Sequence, residues 1–260
     1  MTLEHKVALV TGAGSGMGRA TSIFLAQEGA MVAAADINGE TAQATSATIE
    51  EQGGQSLGIE ADVGDMTQID RMVQQTVDTF GRLDIMVNNA GVTRYIYVMD
   101  VKEEDWDWIH RVNAKGVFFC MQRAAQEMIK QGQGGRIINI ASIAGKGYSG
   151  TSNASYAASK GAVIAMTYIA AHQLARHDIN VNAVCPGSTR TALSENNVEG
   201  RAASMGITVE ELERRRTEQI PIRRRNDPED IASMVNFLAS PGARNITGQT
   251  FNVDGGLVMN

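Results

Sequence analysis

Short apolar segments alternate with longer amphipathic ones along most of the chain. Seven segments have the length of β-strands, and most end at a glycine, an asparagine or an aspartate: 6–11, 31–35, 55–60, 83–87, 136–140, 180–184 and 250–253. Runs this short that are apolar throughout are typical of strands buried on both faces, as in parallel sheets.

The segments between these strands carry helical signals. Ile69, Met72 and Val73 begin a stripe of 3.6-residue period, and Gly81 is expected to end that helix. Asp227 and Pro228 have the residue types of an N-cap and a first helical position. Helices are predicted at 39–52, 69–80, 106–131, 156–177, 209–218 and from 228 onward.

The alternation of strands and helices predicts an α/β fold. We expect one doubly wound domain over residues 1–260, with a seven-stranded, mostly parallel sheet covered by helices on both faces. Residues 188–226 are polar and break the rhythm. A long insertion after the carboxyl end of a strand is a candidate substrate lid.

Composition and charge narrow the class of protein. The net charge is −6, which argues against a nucleic-acid partner. Two arginine clusters, 214–216 and 223–225, are interpreted as a solvated helix face and its exit loop. The start lacks the pattern of a signal peptide and no apolar run approaches 18 residues, so we expect a cytoplasmic protein without a membrane span. Cys120 and Cys185 are expected to be buried thiols, not disulfide partners or metal ligands.

A glycine-rich loop joins the first strand to the first helix. Glycines at 12, 14, 16 and 18 let a pyrophosphate approach the backbone at a helix N-terminus. Asp36 ends the second strand, where an acid can accept hydrogen bonds from an adenosine ribose and would repel a 2′-phosphate. The pattern therefore predicts a dinucleotide site that prefers NAD to NADP. A glycine-rich turn beside a surface aspartate is the alternative.

A second group of polar residues predicts acid–base chemistry. Tyr156 and Lys160 are one helical turn apart, so both can face one cleft. We expect the ammonium to lower the tyrosine pKa and make the phenol a usable acid or base. Ser142 follows the fifth strand, and Asn113 lies inside a predicted helix, where asparagine is unfavourable unless its side chain has another task.

These motifs resemble those of the short-chain dehydrogenase/reductase family, and the resemblance covers essentially the whole chain. The matching elements occur in the family's order: Thr11-Gly12-x-x-x-Gly16-x-Gly18, Asp62, Asn88-Asn89-Ala90-Gly91, Asn113, Ser142, Tyr156-x-x-x-Lys160 and Pro186-Gly187. The family resemblance implies a Rossmann-like fold, oxidoreductase activity with a nicotinamide cofactor, and a homotetramer. The helices at 106–131 and 156–177 would supply one subunit interface.

The resemblance also implies residue roles. Tyr156 would be the general acid/base, Lys160 would lower its pKa and hold the nicotinamide ribose, Ser142 would orient the substrate oxygen, and Asn113 would join a proton relay. The implied cofactor contacts are Gly12, Ser15, Gly16, Met17, Gly18, Asp36, Asp62, Val63, Asn89, Ala90, Gly91, Tyr156, Lys160, Pro186, Gly187, Thr189 and Thr191. The family often has an aliphatic residue where this chain has Thr189.

The substrate is the least determined part. Arg94, Lys146 and Tyr148 belong to segments expected near the cleft, so we expect a polar, hydroxylated secondary alcohol or ketone, such as a polyol, a sugar or an anionic hydroxy acid. The alternative is that these cations are solvated or contact the cofactor. The alternative enzyme is a 3-ketoacyl carrier-protein reductase using NADPH. Residues 89–94 resemble that subfamily, whereas Asp36 disfavours NADPH. A non-catalytic dinucleotide sensor is the alternative from another class.

Overall fold

The computed structural model describes residues 1–195 and 198–259. In these residues seven parallel strands form one sheet in the order β3-β2-β1-β4-β5-β6-β7. The strands are β1 (Val7–Thr11), β2 (Met31–Asp36), β3 (Ser56–Glu60), β4 (Ile85–Asn88), β5 (Gly135–Ile140), β6 (Ile179–Pro186) and β7 (Thr250–Val253). All seven predicted strands are therefore confirmed, with ends shifted by up to two residues.

The helices follow the strands as predicted, with additions in the lid. They are α1 (Gly16–Gln27), α2 (Gly39–Glu51), α3 (Met66–Phe80), α4 (Glu103–His110), α5 (Val117–Gln131), α6 (Ala154–Leu174), α7 (Ala192–Glu195), α8 (Val198–Ser204), α9 (Val209–Glu218) and α10 (Pro228–Ala239). The predicted helix at 106–131 is α4 and α5 joined by a π-helical turn, Arg111–Gly116. The short helices α7 and α8 were not predicted, and positions 196 and 197 of the lid lie outside the described residues.

Side chains that alternate along each strand enter two cores. In β1, Leu9 packs with Met72 and Met128 under α3 and α5, while Val10 packs with Leu25 and Ile231 under α1 and α10. All six are buried. Successive strand residues point to opposite faces, so a strand that is apolar throughout is covered on both sides.

The strand order places the functional site. The strand order runs outward in opposite directions from β1 and from β4. The connections that follow these two strands therefore leave the sheet on opposite faces. Such a switch point opens a crevice between the two loops that follow the strands. Here those loops begin at Gly12 and at Asn89.

Two sequence predictions about single residues are tested by burial. Cys120 and Cys185 are buried free thiols, as expected. The solvated assignment of the arginine clusters holds for Arg214, which is exposed, and fails for Arg225, which is only 4% exposed. No helix in the described part of the chain is long and apolar enough to cross a membrane.

Candidate active site

A cavity of about 400 Å³ opens beyond the carboxyl ends of β4, β5 and β6. The structure brings most of the predicted site residues to its wall. Those lining it are Met17, Asn89, Gly91, Arg94, Ser142, Tyr148, Tyr156, Lys160, Pro186, Gly187, Thr189 and Thr191.

Tyr156 lies in the first turn of α6, and a cap fixes that turn. The side chain of Asn153 accepts a hydrogen bond from the Tyr156 backbone N–H at 2.6 Å and donates to the Arg94 carbonyl, also at 2.6 Å. Asn153 is buried and was not among the predicted site residues. An asparagine just before a helix is an N-cap signal that the sequence offered.

Three of the four predicted catalytic side chains, Ser142, Tyr156 and Lys160, line the cavity. The Ser142 hydroxyl lies beside the Tyr156 phenol in the wall of the cavity. The Ser142 oxygen also accepts the Ala144 backbone N–H at 3.1 Å, which fixes its position after β5. The Lys160 ammonium donates to the Ile140 carbonyl at 2.7 Å and lies 5.9 Å from the centroid of the Tyr156 ring.

Burial dominates the protonation of this group. It raises the pKa of Tyr156, although the hydrogen bond from Ser142 acts to lower it. Burial also lowers the pKa of Lys160 to about 8. The expectation that Lys160 holds the tyrosine pKa below its ordinary value is contradicted: the pKa lies above it, and loss of water is the largest cause. At neutral pH Tyr156 is a protonated phenol that can donate.

Asn113 occupies the π-helical turn and organises the loop after β4. Its Oδ1 accepts the Val92 backbone N–H at 2.8 Å, and its Nδ2 donates to the Val92 carbonyl at 2.9 Å and to Ser159 Oγ at 3.2 Å. Asn113 is fully buried, so its side chain is not at the surface of the helix. A π-turn inside an α-helix often marks a functional site. Its participation in a proton relay stays a prediction.

The glycine loop has the shape that a dinucleotide requires. Asn89 Nδ2 donates to the carbonyls of Thr11 and Gly12 at 2.9 and 3.1 Å, which ties the loop to the end of β4. A Cβ on Gly18 would overlap the Gly12 carbonyl oxygen. Ser15 caps α1 without a side-chain hydrogen bond, and no acid lies in the first turn. The amides of that turn are thus available to a pyrophosphate, and the residues present fit a nicotinamide dinucleotide.

The two aspartates are held beside this loop. Asp36 accepts the backbone N–H of Gly14 at 2.9 Å and of Asn38 at 3.0 Å. Asp62, with Val63 after it, accepts the Gly64 N–H at 2.7 Å and pairs with Arg111 at 2.9 Å. Asp36 ends β2, and Asp62 follows β3, the next strand outward from β1. An adenosine would lie on this side of the crevice.

The segment after β6 closes the other side of the cavity. The Thr191 methyl group lies 3.2 Å from the place a Cβ would take on Gly16, so this loop touches the glycine loop. Thr189 forms a parallel bridge with Asn226, whose Nδ2 reaches Thr189 Oγ1 at 3.4 Å. The threonine hydroxyl is thus engaged with protein, and its contact with a carboxamide stays a prediction.

Of the residues predicted to contact substrate, Arg94 and Tyr148 line the cavity and Lys146 does not. Arg94 lines the cavity, but its guanidinium pairs with Asp105 at 3.0 Å and stacks 4.6 Å from the Trp108 ring centroid. Tyr148 lines the cavity as well. The Lys146 ammonium donates to the Thr250 carbonyl at 3.1 Å on β7, and the structure does not bring it to the cavity wall.

One charged wall residue was missed. Arg216 on α9 lines the cavity and pairs with Glu213 at 2.7 Å. It sits in a cluster of three arginines, so its residue type alone does not distinguish it. Its helical spacing from Leu212, the buried residue of α9, was the available signal.

The chain is similar to known oxidoreductases along almost its whole length. Residues 12–258 match the family model described as "Enoyl-(Acyl carrier protein) reductase". The chain is 41% identical over 259 residues to the 3-oxoacyl-[acyl-carrier-protein] reductase of Thermotoga maritima, covering 100% of both chains. It is 40% identical to the (3R)-3-hydroxyacyl-CoA dehydrogenase of Rattus norvegicus, covering 100% of this chain and 98% of the relative.

Solved structures agree on the fold. The crystal structure of a short-chain type dehydrogenase/reductase from Mycobacterium marinum has a TM-score of 0.90 at 33% identity, over 99% of this chain and 97% of that one. A putative short-chain alcohol dehydrogenase from Sinorhizobium meliloti has a TM-score of 0.89 at 36% identity, over 98% of this chain and 97% of that one.

Proposed function

This chain belongs to the short-chain dehydrogenase/reductase family, and on that premise we propose that it reduces 3-oxoacyl thioesters, with NADH as the preferred donor. It is thus an oxidoreductase of the family that uses a nicotinamide cofactor. The names of the matched model and of both relatives refer to acyl groups carried on acyl carrier protein or on coenzyme A. They favour the reductase over a polyol, sugar or hydroxy acid enzyme.

The observation that carries this proposal is the pair of neighbouring hydroxyls, Ser142 and Tyr156, in the wall of the cavity. A ketone oxygen placed between them accepts two hydrogen bonds, which strengthen as negative charge develops on that oxygen. The bound nicotinamide supplies the hydride. Tyr156, a phenol at neutral pH, then gives its proton to the oxygen, and Ser142 holds that oxygen in place.

The lysine has a supporting part. Its ammonium, anchored by the Ile140 carbonyl, lies beside the Tyr156 ring. When Tyr156 becomes a phenolate the positive form of Lys160 is favoured, because an opposite charge nearby offsets the loss of water. Asn153 caps the helix that carries Tyr156 and Lys160, and Asn113 donates to Ser159 of the same helix.

The preference for NADH is argued from Asp36. Its carboxylate ends β2 and is bound to the glycine loop through the Gly14 N–H. A second anion at the 2′ position of the ribose would face this carboxylate at short range. The reductase alternative with NADPH predicts the opposite preference, so the cofactor is a direct test.

An activity screen tests the proposal. Acetoacetyl thioesters of coenzyme A and of N-acetylcysteamine are assayed with NADH and with NADPH, beside crotonyl thioester and a panel of polyols, sugars and hydroxy acids. We expect kcat/KM for the 3-oxoacyl thioesters to exceed that of every other compound, and to be higher with NADH. Faster crotonyl reduction would point to an enoyl reductase, and cofactor binding with no turnover at all would point to a sensor.

A further inference from the structure

The guanidinium of Arg225 is buried behind the segment that follows β6. Arg225 is 4% exposed, although Arg223 and Arg224 beside it are exposed. A buried charge is stable only when hydrogen bonds and an opposite charge satisfy it. The partners of this guanidinium therefore indicate what it does.

One side of the Arg225 fork fixes the segment after β6. Its Nε donates to Ser188 Oγ at 3.1 Å, and its Nη2 donates to the Thr189 carbonyl and to Ser194 Oγ, both at 3.2 Å. Ser194 in turn donates to the carbonyls of Thr189 and Thr191. These contacts hold the backbone of residues 188–194, which we call the cofactor loop because its Thr191 touches Gly16 of the glycine loop.

The other side of the fork reaches the lid helix. The Nη1 of Arg225 pairs with Glu213 Oε2 at 2.7 Å. The second oxygen of the same carboxylate, Oε1, accepts from Arg216 Nη1 at 2.7 Å. Glu213 therefore joins the buried Arg225 to Arg216, which lines the cavity.

We propose that Arg225 is a positioning residue that couples the lid to the cofactor: through Glu213 it ties α9, and with it Arg216, to the cofactor loop. A guanidinium is suited to this task because its rigid fork bonds in several directions at once, whereas an ammonium is a single point of charge. Partial burial acts to raise the pKa of Glu213, but the bonds and charges of both arginines outweigh it and the pKa lies below its ordinary value. The carboxylate is thus charged at neutral pH.

This coupling makes the affinities for cofactor and substrate depend on each other. A cofactor that stabilises the cofactor loop also stabilises α9, and a substrate held by α9 tightens the cofactor in turn, because coupling free energies are reciprocal. The inference rests on the proposed function only in placing the nicotinamide at the cofactor loop. It does not depend on which substrate is reduced.

Hydrogen–deuterium exchange with and without saturating NADH tests the coupling. The variants are Arg225→Met, Arg225→Lys and Glu213→Gln, with Arg214→Met as matched control because it removes an exposed charge from the same helix. In the wild type and in Arg214→Met we expect NADH to slow exchange at least threefold in both 186–191 and 209–218. In Arg225→Met and Glu213→Gln we expect slowing in 186–191 alone, and in Arg225→Lys an intermediate result.

Steady-state kinetics separate positioning from general instability. We expect the substrate KM of Arg225→Met to rise about tenfold while kcat changes less than threefold, with partial recovery in Arg225→Lys. Glu213→Gln preserves side-chain volume. If Arg225→Met folds poorly, hydrogen–deuterium exchange in Glu213→Gln tests the same coupling. Equal protection of α9 by NADH in the wild type, Glu213→Gln and Arg225→Met would overturn the coupling. Lack of protection at 186–191 in the wild type would overturn the cofactor placement and the coupling together, while lack of acetoacetyl turnover alone would overturn only the substrate assignment.

Discussion

At the scale of single residues, the phenol of Tyr156 is the group that we propose transfers a proton. Its half-buried ring lies beside Lys160, and Ser142 lines the same cavity. We expect Tyr156→Phe to bind NADH within about twofold of the wild type and to lose about 10²- to 10⁴-fold in kcat, the usual contribution of a positioned acid. Tyr97→Phe, at an exposed position, is the control and should retain full activity. A kcat near that of the wild type in Tyr156→Phe would remove this residue from the mechanism.

Lys160 makes a second residue-scale prediction, about stability and pH. Burial lowers its pKa from 10.5 to about 8 in the folded protein. Between these values the unfolded state binds more protons than the folded one, so stability rises with pH across this window. The destabilisation is complete below pH 8 and vanishes above pH 10.5, and the shift corresponds to about 3 kcal/mol.

The measurement is a difference between two proteins. Urea unfolding of the wild type and of Lys160→Met at several pH values from 7.5 to 10.5 cancels the titration of all other lysines. We expect the stability of the wild type relative to the variant to increase steadily over this range. A difference that does not vary with pH would show that the ammonium keeps its ordinary pKa.

At the scale of elements, two helical glycines near the site have opposite surroundings. A Cβ at Gly18 in α1 would overlap the Gly12 carbonyl, whereas a Cβ at Gly161 in α6 would meet the Gly145 carbonyl at an ordinary 3.5 Å. Alanine is favoured over glycine inside a helix by up to about 1 kcal/mol. We expect Gly161→Ala to raise the unfolding free energy by that amount and keep activity, and Gly18→Ala to lose NADH binding.

Titration calorimetry with NADH and thermal unfolding check this pair. The two substitutions add the same methyl group to helices that border the same site, so each serves as control for the other. Equal NADH affinity in Gly18→Ala and the wild type would show that the loop has room that its backbone contacts do not indicate.

Some elements could be predicted from the sequence and others could not. Strands such as β1 were predictable because burial on both faces leaves an unbroken apolar run. The π-turn around Asn113 was not, since hydrophobic periodicity scarcely distinguishes one inserted residue in a helix. Tyr156 and Lys160 were predicted to face one cleft from their helical spacing, and both line the cavity. Arg225 was assigned to solvent because its burial depends on Glu213, a partner twelve residues away in sequence and supplied by the folded lid.

At the scale of the whole molecule, some surfaces are apolar and exposed. Phe118 and Ile129 on α5, and Tyr168 and Ile169 on α6, are each at least 40% exposed. They belong to the two helices for which the family resemblance implies a subunit interface. The homotetramer stays a prediction, and sizing in solution tests it.

The global stability of the protein also reports its choice of cofactor. A ligand that binds only the folded state stabilises it by about 2.7 kcal/mol at a hundredfold excess over its Kd. Because the Asp36 carboxylate lies against the glycine loop at Gly14, we expect NADH to raise Tm more than NADPH at equal concentration. Asp36→Asn keeps the size of the side chain and one acceptor oxygen while removing the charge, so it should narrow the ratio of the two Kd values at least tenfold. Asp78→Asn, on the exposed face of α3, makes the same change in net charge and should leave the ratio unaltered. A wild-type protein that NADPH stabilises more than NADH would show that other groups at the ribose outweigh this carboxylate.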